Sequence, residues 1–95
     1  MQIDEILWLS QFVEKLESRH NVTTTEVEEV FVNRPRFRFV AKGNRSGEDV
    51  YSAMGQTDAG RYLIVFFILK PYHRALVVSA RDMDRKERRE YGRKR

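Results

Sequence analysis

Arg, Lys, His, Glu and Tyr are the side chains this chain offers for chemistry, and the cations concentrate toward its end, in Arg81-Asp82-Met83-Asp84-Arg85-Lys86-Glu87-Arg88-Arg89-Glu90-Tyr91. There is no cysteine, no Gly-rich phosphate cradle and no paired histidine motif, so metal-dependent, phosphate-loop and serine or cysteine hydrolase chemistry lack their usual residues. The remaining set suits metal-free RNA cleavage. A base takes the proton of a ribose 2′-hydroxyl, cations stabilise the charged phosphorane, and an acid protonates the leaving oxygen.

Each candidate also has an ordinary structural reading. His20 has the intrinsic pKa of a general acid or base, but a histidine ending a helix also caps carbonyls and gains from the dipole. His73, beside Pro71 and Tyr72, reads as a turn residue. Arg81 can hold a phosphate or pair with nearby acids. Arg85, Arg88 and Arg89 recur at three-and-four spacing, which serves phosphate contacts or a solvated basic helix equally. Tyr91, one turn after Glu87, can stack on a base or anchor its helix.

Charge supports a phosphate-bearing or acidic partner. Residues 81 to 95 hold eight Lys/Arg against four Asp/Glu, whereas the first eighty hold ten of each, so the whole net charge of +4 lies in the tail. Residues 1 to 33 carry seven acids against Lys15 and Arg19, and residues 34 to 95 carry sixteen bases against seven acids, so the two parts differ in sign. With 95 residues the expectation is one domain over 1–95 with one core. The lack of cysteine points to a reducing compartment, and no signal peptide or span-length apolar run is present, so a cytoplasmic location is expected. No metal or other cofactor is expected.

These residues must be positioned by elements that the local pattern predicts. Residues 2 to 8 suit a short strand, after which Ser10 offers a cap for a helix over Gln11 to His20, stopped by Asn21. Thr23 and Glu26 form a capping box for a second helix, with Val22 and Val27 as a hydrophobic staple. Past Pro35 the period becomes two, giving a half-buried strand with Arg36 and Arg38 on its outer face. After a loop at 43 to 47 come a strand over Val50 to Gln56, a turn closed by Gly60, a central strand over Arg61 to Lys70, and a last strand over Arg74 to Ser79. Sequential hairpins imply an antiparallel sheet. The final helix starts at Asp84, with Glu87 at the capping-box position, and stops near Gly92, leaving Arg93-Lys94-Arg95 frayed.

Taken together, Trp8, the stretch Glu17-Ser18-Arg19-His20-Asn21-Val22, the Thr-capped Glu26 to Phe31, Gly47-Glu48-Asp49-Val50-Tyr51, Gly60-Arg61, and Ser79-Ala80-Arg81 leading into Arg85 to Tyr91 resemble the BrnT family of bacterial type II toxins. The resemblance implies an α+β, RelE-like fold: a twisted antiparallel sheet of about four strands, two N-terminal helices packed on it and a basic C-terminal helix. It implies a metal-independent endoribonuclease that inhibits translation, neutralised by a BrnA-like ribbon-helix-helix antitoxin, with operator DNA reached only through that antitoxin. The family's Lys-His-Gly-Val pattern falls on Arg19, His20, Asn21 and Val22, with asparagine replacing glycine. Its usual cation and small residue after Ser-Ala-Arg fall on Asp82 and Met83, which sets a negative charge beside Arg81. The carried-over catalytic candidates are His20, Arg81, Glu87, Arg88 and Tyr91, with Arg85, Lys86 and Arg89 as RNA-binding residues. The alternative is a non-catalytic RNA-binding or antitoxin-binding co-repressor module using the same basic helix.

Overall fold

In the computed structural model, which describes residues 1–45 and 47–93, the local signals of the first third become β1 (Glu5–Leu7), α1 (Ser10–His20) and α2 (Thr24–Val32). Ser10 is already helical: Leu9 holds the cap position with no side-chain cap, so the expected serine cap is corrected. Asn21 takes the left-handed conformation (φ 53°), and the next amide, Val22 N–H, donates to Leu16 O at 3.1 Å, closing α1. At α2 both halves of the capping box form: Glu26 N–H donates to Thr23 Oγ1 at 3.1 Å, and Thr23 N–H donates to Glu26 Oε1 at 3.0 Å. Val22 and Val27 are fully buried in one core.

Downstream lie β2 (Arg36–Ala41), β3 (Val50–Gln56), β4 (Tyr62–Lys70), β5 (Arg74–Asp82) and α3 (Arg85–Arg93). The sheet has five strands in the order β1-β5-β4-β3-β2, rather than about four. β4 is central, as its run of apolar residues requires. The sheet is mixed, not wholly antiparallel, because β1 lies parallel to β5 with Glu5 opposite Arg74. Between its first strand and its last lie α1, α2 and three strands, so no hairpin constrains their direction. β5 also runs three residues past the expected end at Ser79. The β4–β5 register shifts by one residue between Phe66 and Phe67, and Arg81 pairs opposite Ile64 inside the ladder instead of following it. Of the loop expected at 43–47, Ser46 lies outside the described residues, as do Lys94 and Arg95 of the expected frayed end; Arg93 is helical.

Alternation along β4 sorts the molecule into two layers on the sheet. Leu63, Val65 and Phe67 face α1 and α2, packing with Leu16, Val27 and Val30. Ile64, with Tyr62 and Phe66, faces the other way and packs with Met54, Met83 and Tyr91 of α3. The two N-terminal helices and the basic helix therefore lie on opposite faces. α2 comes close to the sheet at Gly55, where a Cβ would meet Val30 Cγ1 at 3.2 Å. The face of β2 expected to look outward carries α3: Arg36 Nη1 donates to Glu90 O at 2.8 Å, and Arg38 pairs with the Glu90 carboxylate at 3.2 Å. Phe37 is half-buried on the other face, whereas Phe39 is 52% exposed.

Candidate nucleic-acid interface

No residue of α3 is buried, so hydrophobic burial alone cannot hold the helix on the sheet. Its N-terminus is fixed by reciprocal bonds: Glu87 N–H donates to Asp84 Oδ1 at 2.7 Å, and Asp84 N–H donates to Glu87 Oε1 at 2.9 Å. Arg81 on β5 then grips the same carboxylate with both terminal nitrogens at 2.8 Å, and its guanidinium lies over the Phe66 ring. This fork hydrogen bond holds the Glu87 carboxyl below its ordinary range and raises the Arg81 pKa. Glu87 is thus held as a carboxylate and Arg81 is neutralised by it.

Between the docked helix and the sheet lies an open cleft of about 560 Å3, lined by Gln56, Tyr62, Arg85, Arg88, Arg89, Tyr91 and Gly92. The Arg88 guanidinium carbon sits 4.1 Å from the centre of the Tyr62 ring, and Tyr91 meets the same ring edge-on at 6.0 Å. Among the described residues, the side chains of Arg85, Lys86 and Arg89 have no ion-pair or hydrogen-bonding partner, and Arg88 has only its aromatic contact. Unpaired guanidiniums around aromatic rings can bind phosphates and stack with bases.

A second cluster sits at the same end of the sheet, where Arg61 and Asp82 line a crevice with Tyr62, Met83 and Arg88. Arg61 donates to Asp82 Oδ1 at 2.7 Å, to Glu26 Oε1 at 3.1 Å, and to the carbonyls of Asn21 and His20 at 2.8 and 3.2 Å. One guanidinium thereby joins the end of α1, the start of α2, the turn before β4 and the end of β5. Its hydrogen bond holds the Asp82 carboxyl below its ordinary range, with a smaller contribution from the nearby His20. The negative charge expected to weigh on Arg81 is therefore engaged by Arg61, and Glu87 takes its place at Arg81.

The candidates divide accordingly. Arg81, Glu87, Arg88 and Tyr91 converge on the α3 face with Arg85 and Arg89; Lys86 is exposed on the same helix outside the cleft lining. His20 lines a small crevice on the other face with Lys15, Arg19, Val78 and Ser79. His73 sits exposed in the β4–β5 turn in the left-handed region (φ 57°), its carbonyl accepting from Asp4 N–H at 2.7 Å. Sequence reasoning missed Tyr62 and Gln56 as cleft residues and Arg61 as a hub. Strand alternation set against the apolar Leu63, Val65 and Phe67 was the available signal for Tyr62. Nothing local marks Arg61, whose partners lie 21 to 41 positions away.

Both depressed carboxyls make stability acid-sensitive. Their folded pKa values lie below the ordinary 3.8 of Asp82 and 4.5 of Glu87, so the stabilisation is complete above the ordinary values and is lost as pH falls through the folded ones. The melting temperature should drop as pH is lowered below about 4, and Glu87→Gln should melt lower at neutral pH with a flatter acid limb. An unchanged limb in Glu87→Gln would remove the Arg81 pair from this account.

Comparison with known proteins places these observations. A family model described as the ribonuclease toxin BrnT of type II toxin-antitoxin systems matches residues 8–87. No curated protein matches the chain. Among solved structures, the fold is similar to the 1.1 Å crystal structure of the Brucella abortus ribonuclease toxin BrnT, with a TM-score of 0.59 and 13% identity, covering 85% of this chain and 97% of that one.

Proposed function

The chain belongs to the BrnT family of ribonuclease toxins of type II toxin-antitoxin systems, and from that premise we propose that the cleft under α3 is where it binds and cuts RNA. The observation that carries this reading is the placement of Arg85, Arg88 and Arg89 around the paired rings of Tyr62 and Tyr91. RNA phosphates meet guanidiniums that spend no charge on protein carboxylates, and an unstacked base can lie against the tyrosines.

The chemistry proposed is metal-independent. A ribose 2′-oxygen attacks the adjacent phosphorus as its proton is removed, the bond to the 5′-oxygen breaks, and that oxygen receives a proton. The products carry a 2′,3′-cyclic phosphate and a 5′-hydroxyl. Arg88, with Arg85 and Arg89 beside it, stabilises the charge that builds on the phosphorane. Tyr91 brings a hydroxyl-bearing ring into the cleft from α3. Arg81 and Glu87 hold the helix in place, and His20, on the other face, closes α1 and takes no part in proton transfer. The single domain over 1–95 acts to inhibit translation by cutting RNA. Its partner is a BrnA-like ribbon-helix-helix antitoxin, through which alone it reaches operator DNA.

A specific observation also favours the non-catalytic alternative: among the described residues no carboxylate or imidazole lines the cleft, so binding is better provided for than proton transfer. One experiment separates the two. Purified protein incubated with single-stranded RNA in excess EDTA should cut it and leave cyclic phosphate and 5′-hydroxyl ends. Ends bearing 5′-phosphate, or activity abolished by the chelator, would refute the mechanism. Tight binding without cutting would establish the binding module instead.

A further inference from the structure

The position of the catalytic helix depends on a strand far from it in sequence. We propose that Arg36 of β2 is a positioning residue for cleavage, acting through the last turn of α3; the inference rests on the assignment of the α3 cleft to RNA. Two facts about the helix lead there. First, no residue of α3 is fully buried and Tyr91 is its half-buried apolar contact with the sheet, so its placement leans on polar contacts at its two ends. Second, those ends are held differently. The N-terminal end has the capping box and the Arg81 fork, four hydrogen bonds converging on Asp84 and Glu87. The C-terminal end is held from β2, where Arg36 Nη1 donates to Glu90 O at 2.8 Å and to Tyr91 O at 3.4 Å.

The chemistry of that contact is particular. Carbonyls near a helix's C-terminus carry the negative end of the dipole, so a guanidinium there both donates to them and complements that charge. Arg36 is half-buried, and its carbonyl partners belong to the backbone, so the contact fixes the main chain of Glu90 and Tyr91 rather than a mobile side chain. Arg38 reaches the same region through the Glu90 carboxylate, but with side chains 53% and 29% exposed, that pair contributes little. Arg36 therefore sets where Tyr91 stands against Tyr62, and with it the far wall of the cleft. Arg85, the first residue of α3 at the end that Arg81 secures, should keep its place without Arg36.

This division gives the test its form. Arg36→Met, Arg36→Lys and Arg38→Met are compared with the native chain for kcat and KM on single-stranded RNA, for amide hydrogen exchange across residues 89–93, and for melting temperature. Arg36→Met should lose roughly 10- to 100-fold in kcat, as expected for a displacement of about 1 Å, with KM changed little because the N-terminal cations still bind RNA. Exchange in 89–93 should quicken while the Glu87 and Arg88 amides, which donate to Asp84, keep their protection. Arg36→Lys should restore part of kcat, and Arg38→Met should behave as native. A native kcat in Arg36→Met, or a loss of kcat with unaltered exchange in 89–93, would overturn the proposal. Should Arg36→Met not fold, failure of Arg36→Lys to move either kcat or exchange would do the same. If the native chain binds RNA but does not cut it, the cleavage reading fails, and exchange in 89–93 together with RNA affinity still decides whether Arg36 positions the helix.

Discussion

Arg88→Ala should slow RNA cleavage by roughly 10²- to 10³-fold, the loss typical of removing one donor to a developing charge, while His20→Gln cleaves at close to the native rate. The contrast follows from the sheet. Arg88 stands over Tyr62 in the cleft, whereas His20 lines a crevice on the opposite face with Lys15 and Arg19. Binding should report the same geometry by another route. Because Arg88 and Arg89 meet no carboxylate among the described residues, each is available to replace a counterion on RNA. The Arg88→Ala/Arg89→Ala double variant should reduce the slope of log affinity against log salt by about 0.7 for each phosphate that the protein no longer neutralises. A rate collapse in His20→Gln at unchanged melting temperature would move the proton transfer to the other face of the sheet. An unchanged salt slope in the double variant would remove the tail from the RNA footprint.

The largest effect on stability should come from Arg61. Its side chain is 25% exposed and pairs with Glu26 at 27% and Asp82 at 64%, so the site lies between a buried ion pair and a surface one. Arg61→Ala leaves two carboxylates facing each other without a counter-charge and two helix-end carbonyls without a donor. A cost of about 2 kcal/mol is expected, midway between the roughly 0–1 of surface pairs and 3–5 for breaking a buried one. For a chain of this length that lowers the melting temperature by about 8–16 °C. Asp82→Asn, at the more exposed partner, should cost less, and Arg61→Lys should recover only part because one ammonium cannot serve four groups on three elements. Thermal melts of the three variants decide the matter. An Arg61→Ala chain melting like the native one would show that the hub contributes nothing to folding.

These two arginines also show what could be read before the fold was known. The start of α2 was legible because its signals, Thr23, Glu26, Val22 and Val27, lie within six positions and act on one another. The same holds for Asp84 and Glu87 at α3. β3, the Gly60 turn and the central place of β4 followed from period and turn chemistry. The shared candidates Arg85, Arg88, Arg89 and Tyr91 were found because helical spacing puts them on adjoining faces whatever the helix rests on.

What lay beyond reach was every relation across the sheet. Charge patterning and spacing place a basic helix at the end of the chain, but which face of the sheet receives it depends on the strand bearing Arg36 and Arg38 and on the bulge that carries β5 to Asp82. His20 and Arg81 were both candidates for one site, but His20 lines a crevice with Lys15 and Arg19 whereas Arg81 is engaged by Glu87 of α3. Composition and local periodicity thus determined the elements, the charge and the chemical class of the surface, because those interactions act over a few residues. Tertiary structure alone decided which cations pair with carboxylates, Arg61, Arg81 and Arg38 among them, and which line the cleft without a carboxylate, Arg85, Arg88 and Arg89, because an ion pair forms by distance in space and not by distance along the chain.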